Sequence, residues 1–316
     1  MCGIAGAAWT DPDLAIGPDV LSRMTDVLVH RGPDDGGQSQ RDALVEPPYP
    51  AVPGYALGHT RLAIIDPTGS RQPMTNEDGS LQLVFNGEIY NYQELRLRLE
   101  ASGHRFQTAG DTEVLVHLYE DEGIGFLDHL VGMFSLALWD SRQRRLVLAR
   151  DRLGQKPLVY RQEPGRVLFA SEIKSILQVP GMSRTVDASA IDEYLLYQYV
   201  PHPNTIFQGI RKLPPAHYAL FYDGQLTVKR YWQWNRSDVT PTQRFNNEAA
   251  AADQLQTALS EAVRIRLRSD VPLGVFLSGG VDSSVIAALT QQQAGRRVRT
   301  FAMGFTEPEY DETSHA

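Results

Sequence analysis

The chain opens with Met1-Cys2-Gly3-Ile4-Ala5-Gly6, and this stretch places the single cysteine of the sequence at its second position. One cysteine cannot form an internal disulfide bond, nor can it supply a metal site by itself, so its position must carry any meaning it has. Initiator methionine is normally removed before a small residue, and cysteine qualifies. We therefore predict a mature chain that begins with a thiol beside a free α-amino group.

An N-terminal cysteine combines a nucleophile with its own base. An α-amino group has an unperturbed pKa near ~8 and can accept the proton of the neighbouring thiol. A separate histidine is then unnecessary, so we assign His30 and His59 structural roles. The alternative is that Cys2 is a small, soft residue packed into the first strand.

Composition limits the classes of function that remain. The 316 residues favour two domains, and 42% hydrophobic with 22% charged residues is typical of a globular protein. A formal net charge of -8 leaves no broad basic surface for nucleic acid. No apolar run approaches the roughly 20 residues that span a bilayer. Because Asp11, Pro12 and Asp13 interrupt any signal peptide, we predict a cytoplasmic protein with no membrane partner.

Apolar periodicity predicts strands interleaved with helices, and hence a layered α and β domain through about Leu177. Predicted strands are Gly3 to Trp9, Ala56 to Ile65, Leu81 to Asn86, Gly132 to Trp139, Arg145 to Arg150, Leu158 to Arg161 and Val167 to Ser171. Predicted helices are Pro18 to Val29, Tyr92 to Ser102 and Thr112 to Glu122. A turn-rich loop is predicted from His30 to Gly37.

A second domain is predicted to start near Glu248, after a polar linker from Trp232 to Asn247. An amphipathic helix there precedes an apolar strand, Leu273 to Leu277, and the sequence Ser278-Gly279-Gly280-Val281-Asp282-Ser283-Ser284 follows it. Backbone N–H groups and hydroxyls at the start of a helix form an anion site, so this loop predicts a phosphate cradle. It lacks the Gly-Lys-Ser/Thr ending of a Walker loop.

Asp282 in that cradle would repel phosphate unless a cation lies between them, so we predict Mg²⁺ there. The structural alternative is a tight turn whose helix is capped by Asp or Ser.

Six further motifs follow the N-terminal hexapeptide in the order typical of one family. They are Arg31-Gly32-Pro33-Asp34, Gly58-His59-Thr60-Arg61-Leu62-Ala63-Ile64-Ile65-Asp66, Phe85-Asn86-Gly87-Glu88-Ile89-Tyr90-Asn91, Gly110-Asp111-Thr112-Glu113, Ala149-Arg150-Asp151-Arg152-Leu153-Gly154-Gln155-Lys156-Pro157 and Ala170-Ser171-Glu172-Ile173-Lys174. The chain resembles the glutamine-hydrolysing asparagine synthetases, which are class II glutamine amidotransferases, over nearly its whole length.

The resemblance implies a fold and domain limits. The expected fold is an α+β N-terminal-nucleophile sandwich, with two antiparallel sheets between helices (αββα), followed by the start of an α/β Rossmann-like ATP pyrophosphatase domain. The expected limits are residues 1–190 for the glutaminase domain, 191–247 for a connecting segment and 248–316 for an incomplete synthetase domain.

The resemblance also implies the glutaminase site. Cys2 resembles the nucleophile that attacks the glutamine side-chain amide, and Asn86 and Gly87 resemble its oxyanion donors. Arg61 resembles the clamp of the substrate α-carboxylate, and Glu88 and Asp111 the acidic partners of its α-ammonium. The expected glutamine-binding residues are Arg61, Leu62, Ala63, Ile64, Ile65, Asn86, Gly87, Glu88 and Asp111. Read singly, Arg61 could form a surface ion pair, Asn86-Gly87 a hairpin turn and Asp111 a helix N-cap; Arg31 could help to close the site.

In the second domain the resemblance implies an ATP site and a ligase reaction. The expected ATP-binding residues are Leu277, Ser278, Gly279, Gly280, Asp282, Ser283, Ser284 and Met303. Aspartate would be activated as an acyl-adenylate and attacked by ammonia from glutamine, giving asparagine, AMP, pyrophosphate and glutamate. The implied partners are glutamine, aspartate, ATP and Mg²⁺, and the expected assembly is a homodimer.

Two departures from the family pattern qualify these expectations. The segment from Arg41 to Tyr55 is long and proline-rich, which suggests an inserted surface loop. The chain also stops at Ala316, early in the synthetase domain, so we expect a fragment that could at most hydrolyse glutamine by itself. The alternatives are an amidotransferase with another carboxylate acceptor and an inactive, binding-only relic. Relatives that close β-lactam rings lack the cysteine and fit less well.

Overall fold

The computed structural model describes residues 1–43, 52–234, 247–307, 309 and 311–316. The chain divides into two compact units, Met1–Trp234 and Asn235–Ala316. Most of the proline-rich segment predicted as an insertion, and most of the predicted linker, lie outside the described residues.

The elements are numbered along the chain. The strands are β1 (Gly3–Trp9), β2 (Asp35–Arg41), β3 (Gly54–Arg61), β4 (Met74–Thr75), β5 (Leu81–Ile89), β6 (Gly132–Asp140), β7 (Arg145–Arg150), β8 (Val159–Glu163), β9 (Arg166–Ala170), β10 (Ile210–Lys212), β11 (His217–Tyr222), β12 (Gln225–Arg230), β13 (Gly274–Phe276) and β14 (Arg299–Phe301). The α-helices are α1 (Pro18–Asp26), α2 (Tyr92–Ala101), α3 (Thr112–Glu122), α4 (Ile173–Ile176), α5 (Ala188–Tyr197), α6 (Glu248–Arg266) and α7 (Val281–Gln293).

The first unit contains two sheets, which have six strands each within the described residues. One sheet has the order β10-β8-β9-β1-β3-β2, the other the order β12-β11-β7-β6-β5-β4, and every pairing in both is antiparallel. Strand β1 is buried along its whole length, since it lies centrally between β3 and β9. Its small, apolar sequence is what a strand covered on both faces requires.

Apolar side chains form three layers that fix the order of helices and sheets. Ile4 and Phe169 of the first sheet and Trp139 of the second belong to the central layer between the sheets. Helices α1 and α4 cover the outer face of the first sheet, and α2 and α3 cover that of the second. The expected helix–sheet–sheet–helix sandwich is therefore confirmed.

Three local features differ from the sequence predictions. Residues 35–37, predicted as loop, begin strand β2, whose polar composition is that of an edge strand paired on one side only. Strand β3 ends at Arg61, so residues 62–65 leave the sheet as a loop instead of continuing the strand. Strands β10, β11 and β12, in the segment predicted to connect the domains, extend the two sheets, and the first unit ends at Trp234 instead of residue 190.

The second unit carries the parallel arrangement expected of a Rossmann-like domain. Strands β13 and β14 pair in parallel, and α7 connects them, while α6 packs against α7. In the part of the chain that the structure describes, no helix combines the length and apolar character needed to cross a membrane.

Candidate active site

Cys2 lies directly before β1, at the end of β3. The register places Gly3 opposite Thr60, so the cysteine lies beside the point where Arg61 ends its strand. The Sγ atom accepts a hydrogen bond from the Leu62 N–H at 3.4 Å and lies 3.7 Å from the Leu62 carbonyl oxygen. Burial raises the pKa of the Cys2 thiol, which therefore needs a base before it can act as a nucleophile.

The Asn86-Gly87 pair lies inside β5 and not at a hairpin turn. The Phe85 N–H donates to Gln72 Oε1 at 2.6 Å, and the Ile89 N–H donates to Asp111 Oδ2 at 2.9 Å. Alternate residues of a strand direct their N–H groups to the same edge, so the Gly87 N–H points to this edge as well. A Cβ at Gly87 would lie 2.2 Å from the Met133 carbonyl oxygen, which explains the glycine.

The side chain of Asn86 is fully buried beside Ser135 on the neighbouring strand. Its Nδ2 lies 3.5 Å from Ser135 Oγ, and its Oδ1 has no hydrogen-bond partner among the described residues. In the reversed amide orientation Ser135 would donate to Oδ1, and the amide N–H groups would face the space that Oδ1 faces now and be available to a substrate oxygen. In that orientation Asn86 is a hydrogen-bond donor.

Arg61 is buried and binds backbone carbonyl groups. Its guanidinium donates to the carbonyl oxygens of Pro67 at 2.8 Å, Asp66 at 2.6 Å and Ile65 at 3.4 Å. This geometry argues against the surface ion pair considered above. These bonds also hold the loop of residues 62–67, which contacts Cys2 through the Leu62 N–H. The four residues that begin this loop are half-buried: Leu62, Ala63, Ile64 and Ile65.

Two carboxylates, Glu88 and Asp111, lie near enough to interact electrostatically. Asp111 precedes α3, but its side chain makes no capping hydrogen bond to the helix and instead accepts the Ile89 N–H. Burial raises the pKa of Asp111 to about 7, and the nearby Glu88 charge adds to this effect. Burial also raises the pKa of Glu88, although Lys156 opposes the change. A negative pair in a desolvated site favours a cationic ligand group.

Arg31 contacts Cys2 directly, whereas the sequence suggested only that Arg31 could help to close the site. Its Nε donates to the Cys2 carbonyl oxygen at 2.9 Å, and its Nη1 donates to Glu172 Oε1 at 2.8 Å. Burial alone would raise the pKa of Glu172, but hydrogen bonds from Arg31, Lys174 and His30 outweigh it and lower the pKa to about 2. The Cys2 backbone is thus fixed through Arg31 to a persistent anion.

Lys156 is a second cation of the site, and sequence reasoning assigned it no role. It is buried, and it interacts electrostatically with Cys2, Glu88 and the N-terminal amine. The fully buried Asp151 positions it, since the Asp151 carboxylate accepts the backbone N–H groups of Phe134, Leu153, Gln155 and Lys156. No local signal could reveal this, because the loop approaches Cys2 only after both sheets have formed.

The two histidines have the structural roles that the sequence predicted. His59 Nε2 lies 3.1 Å from the Phe85 carbonyl oxygen and so links β3 of one sheet to β5 of the other. Burial lowers the pKa of His59 to about 4, which keeps the ring neutral near pH 7. His30 lies 2.9 Å from Glu172 and supports the anion that holds Arg31.

The predicted nucleotide loop lies at the carboxyl ends of β13 and β14 in the second unit. Leu277 donates its N–H to the Phe301 carbonyl oxygen at 2.9 Å, so it lies beside the strand end that Met303 follows. Gly279 has a φ of +82°, a conformation that favours glycine. Gly280 is the N-cap residue of α7, without a side-chain cap, and Asp282 lies exposed in the first turn. The capping alternative is therefore not what the structure shows.

The hydroxyls of this loop are turned toward its backbone. Ser283 Oγ lies 3.1 Å from Ser278 Oγ and donates to the Gly280 carbonyl oxygen at 3.0 Å, and Ser284 Oγ donates to the same oxygen at 2.8 Å. Ser278, Gly279, Gly280, Asp282, Ser283 and Ser284 are thus brought together at one helix N-terminus, the geometry of an anion site.

Comparison with known families decides the classification of the first unit. The family model described as "Glutamine amidotransferase domain" matches residues 1–232, most of the chain. The chain belongs to this glutamine amidotransferase family. After the amidotransferase domain, residues 254–316 match the model described as "Asparagine synthase".

Curated relatives contain both parts in a longer chain. The chain is 37% identical to asparagine synthetase [glutamine-hydrolyzing] 3 of Bacillus subtilis, over 97% of this chain and 48% of that protein. It is 35% identical to asparagine synthetase [glutamine-hydrolyzing] 1 of the same organism, over 100% of this chain and 48% of that protein. The chain therefore spans about half the length of these relatives.

A solved structure supports the fold. The structure titled as that of the allosteric regulatory enzyme of purine biosynthesis matches the amidotransferase chain with a TM-score of 0.53 and 19% identity, covering 95% of this chain and 65% of that one. At this identity the likeness concerns the fold alone.

Proposed function

We propose that the first unit hydrolyses glutamine to glutamate and ammonia, with Cys2 as the nucleophile after removal of Met1. The observation that carries the proposal is the position of the Cys2 sulfur, which lies 3.4 Å from the Leu62 N–H and interacts electrostatically with Arg61 and the buried Asp111. A thiol, a backbone donor and buried acidic groups at one place are what amide cleavage on an amino acid requires.

The reaction begins with proton transfer from the Cys2 thiol to the α-amine of the same residue. The thiolate adds to the side-chain amide carbon of glutamine, and the negative oxygen is stabilised by the Gly87 N–H and the Asn86 amide. The carbon–nitrogen bond then breaks, and ammonia leaves with the proton that the α-amine returns. Water hydrolyses the resulting thioester, which gives glutamate and restores the thiol.

Recognition of the substrate's amino-acid end rests on charge. Glu88 and Asp111 would bind its α-ammonium, and the loop that Arg61 organises, from Leu62 to Ile65, would hold its α-carboxylate. The desolvation that raises the pKa of both carboxylates is offset when a cationic group binds between them. Arg61 contributes the positive charge that a carboxylate needs.

For the longer protein of which this chain matches about half, we infer an ATP-dependent transfer of that ammonia to aspartate, which yields asparagine. The Ser278–Ser284 loop would hold the pyrophosphate part of ATP, with Leu277 and Met303 beside the nucleoside. When bound, Mg²⁺ would screen the phosphate charge, and the exposed carboxylate of Asp282 at the helix start fits this ion. From the family resemblance we further infer a cytoplasmic homodimer.

The experiment that tests the glutaminase is glutamate release by this chain and by Cys2→Ala, with the N-terminal mass measured in both. Turnover in the wild type that disappears with the thiol supports the proposal. A folded wild-type chain that lacks Met1 and releases no glutamate contradicts glutaminase activity in this chain alone. Repeating the assay with the extended chain, and measuring AMP formation with aspartate against other carboxylates, separates the acceptor from the glutaminase.

A further inference from the structure

A cluster of nitrogen and oxygen ligands lies outside the glutamine site, between the end of α2 and the second half of α3. His104 belongs to the turn after α2, and His117 and Glu120 lie on α3 three residues apart, on the same helix face. His117 is almost fully buried, with 3% of its side chain exposed, and the side chains of His104 and Glu120 are 16% and 17% exposed. None of the three takes part in the proposed glutaminase.

The distances within this cluster match those of a tetrahedral metal site. His104 Nδ1 lies 3.1 Å from His117 Nδ1, and His117 Nδ1 lies 3.2 Å from Glu120 Oε2. All three ligand atoms lie within 4.8 Å of one another. Zinc bonds of about 2.0–2.1 Å place tetrahedral ligands about 3.3 Å apart, so one ion can contact all three atoms after small side-chain shifts.

Two of the three ligands, His104 and Glu120, are oriented by hydrogen bonds to further polar groups, and a carboxylate lies near His117. His104 Nε2 lies 2.9 Å from Asp121 Oδ1, and His117 Nε2 faces Glu113 Oε1 at 3.7 Å. Asn76 Nδ2 donates to Glu120 Oε1 at 2.8 Å, which directs the other carboxylate oxygen toward the histidines. Metal-binding histidines usually donate their second N–H to a carboxylate, as His104 can to Asp121.

When both imidazole rings are neutral and protonated at Nε2, the centre of the cluster is electron-rich. Both Nδ1 lone pairs then face each other and Glu120 Oε2 across about 3 Å. Three acceptors directed at one point repel one another unless a proton or a metal cation lies between them. A cavity of about 200 Å³ lies beside His117 and Glu113.

We propose that His104, His117 and Glu120 bind one divalent transition-metal ion of the zinc type, through Nδ1, Nδ1 and Oε2. Two imidazoles and one carboxylate suit zinc better than calcium or magnesium, which prefer oxygen ligands alone. The ion would link α3 to the turn after α2. Because Asp111 precedes the same helix, six residues before His117 and so about 9 Å along its axis, the ion would also stabilise the helix that positions this glutamine-binding residue.

The test is zinc binding by the whole chain, carried out in a Cys2→Ala background so that the thiol cannot compete. The metal-free chain should bind one equivalent of zinc on titration, and its Tm should rise on binding. When Co²⁺ replaces zinc, the visible absorption of four-coordinate cobalt should appear. His104→Ala and Glu120→Gln should each weaken zinc binding by at least about tenfold. His129→Ala is the matched control, since His129 is an exposed histidine that lies after α3 and pairs with Glu122 at the end of that helix.

Asp121→Asn is a second variant for the case that a ligand variant fails to fold, because it removes only the carboxylate partner of His104. It should weaken zinc binding by about 10- to 100-fold. Two results would overturn the proposal. One is a folded chain that takes up no zinc at excess metal, with a proton on one histidine Nδ1 in the nitrogen NMR spectrum. The other is unchanged zinc affinity in His104→Ala and Glu120→Gln.

Discussion

The Ile89 N–H donates a hydrogen bond of 2.9 Å to Asp111 Oδ2, and this contact joins the strand that carries Asn86-Gly87 to the residue that precedes helix α3. The contact therefore fixes Asp111 relative to Asn86 and Gly87, the proposed oxyanion donors. The same contact leaves Asp111 buried, with a pKa raised by burial to about 7. Function and stability make opposite demands on this carboxylate.

Asp111→Asn is expected to stabilise the first unit at pH 8 while it weakens glutamine binding. In the unfolded chain an aspartate ionises near pH 4, whereas the pKa of Asp111 in the folded chain is about 7. The folded state is therefore favoured by protonated Asp111 below pH 4, and this contribution to the free energy of unfolding is lost as the pH rises through 7. Asparagine avoids this loss and can still accept the Ile89 N–H. The gain in the free energy of unfolding at pH 8 should be on the order of 2–4 kcal/mol.

Thermal unfolding of wild type and Asp111→Asn at pH 5 and pH 8 checks this prediction. The difference in Tm should be larger at pH 8, and the KM for glutamine should rise in the variant. In the wild type the KM should also rise as the pH falls below 7, because protonated Asp111 loses its attraction for an ammonium group. Equal Tm differences at both pH values would show that ionisation of Asp111 does not lower the free energy of unfolding.

Asn86→Ala is expected to lower kcat for glutamine hydrolysis by about 10²–10³, with little change in KM, since an oxyanion donor acts in the transition state. Ser135→Ala should cause a smaller loss, because it removes only the hydroxyl that orients the Asn86 amide, 3.5 Å away. Steady-state kinetics of both variants tests this order. A larger loss in Ser135→Ala than in Asn86→Ala would mean that the serine, not the amide, faces the oxyanion.

The sequence predicted the central elements of this fold better than its edges. The predicted bounds of β1 and α3 coincide with the observed ones, because a continuous apolar run and a full helical period mark them. Strand β2 carries polar residues on an edge, and β10 has only three residues, so neither produces a period that a sequence can show. The place of β2 is determined by pairing with β3, the next strand, and that of β10 by pairing with β8, which is distant along the chain.

The residues of the candidate site also divide into those that the sequence identifies and those that only the tertiary structure identifies. Cys2, Asn86, Gly87 and Asp111 are singled out by motifs. In the structure Cys2 interacts electrostatically with Asp111, whose carboxylate accepts the Ile89 N–H of the strand that carries Asn86 and Gly87. Lys156 lies in a motif that indicates no role for it, since its approach to Cys2 depends on the loop that Asp151 holds. Chain position could identify the nucleophile, but only tertiary structure shows which cations surround it.

Glu172→Gln is expected to lower kcat by roughly tenfold and to destabilise the first unit by about 1 kcal/mol, since its partly exposed charge is screened by solvent. Glu172 anchors Arg31, which holds the Cys2 carbonyl oxygen. Because the folded pKa of Glu172 is lowered to about 2, its contribution is present above pH 4.5 and is lost as the pH falls toward 2.

Glu163→Gln is the matched control for this prediction. Glu163 also accepts hydrogen bonds from two arginines, Arg161 and Arg166, and its pKa is lowered by them against the effect of burial. It lies on β8, away from Cys2. Acid unfolding should be affected similarly in both variants, but only Glu172→Gln should lose turnover. Equal kcat values in the two variants would show that the anchoring of Arg31 by Glu172 does not contribute to turnover.

Lys156→Met is expected to slow glutamine hydrolysis several-fold near pH 6.5 and to move the acid limb of the kcat/KM profile to higher pH. The α-amine must be neutral to accept the thiol proton, and a nearby cation favours its neutral form. In the chain with Met1, burial lowers the pKa of the amine, Cys2 opposes this, and Lys156 lowers it further. Without Lys156 the amine would hold its proton to higher pH, so a smaller fraction could act as base.

Lys229→Met is the control, since Lys229 is an exposed lysine on β12. Measured profiles should separate two roles for Lys156. A shifted acid limb with an unchanged plateau at high pH means that the cation acts through the amine. A uniform loss at every pH, with a higher KM, would mean instead that Lys156 binds the substrate or holds Glu88, whose pKa it lowers against the larger effect of burial.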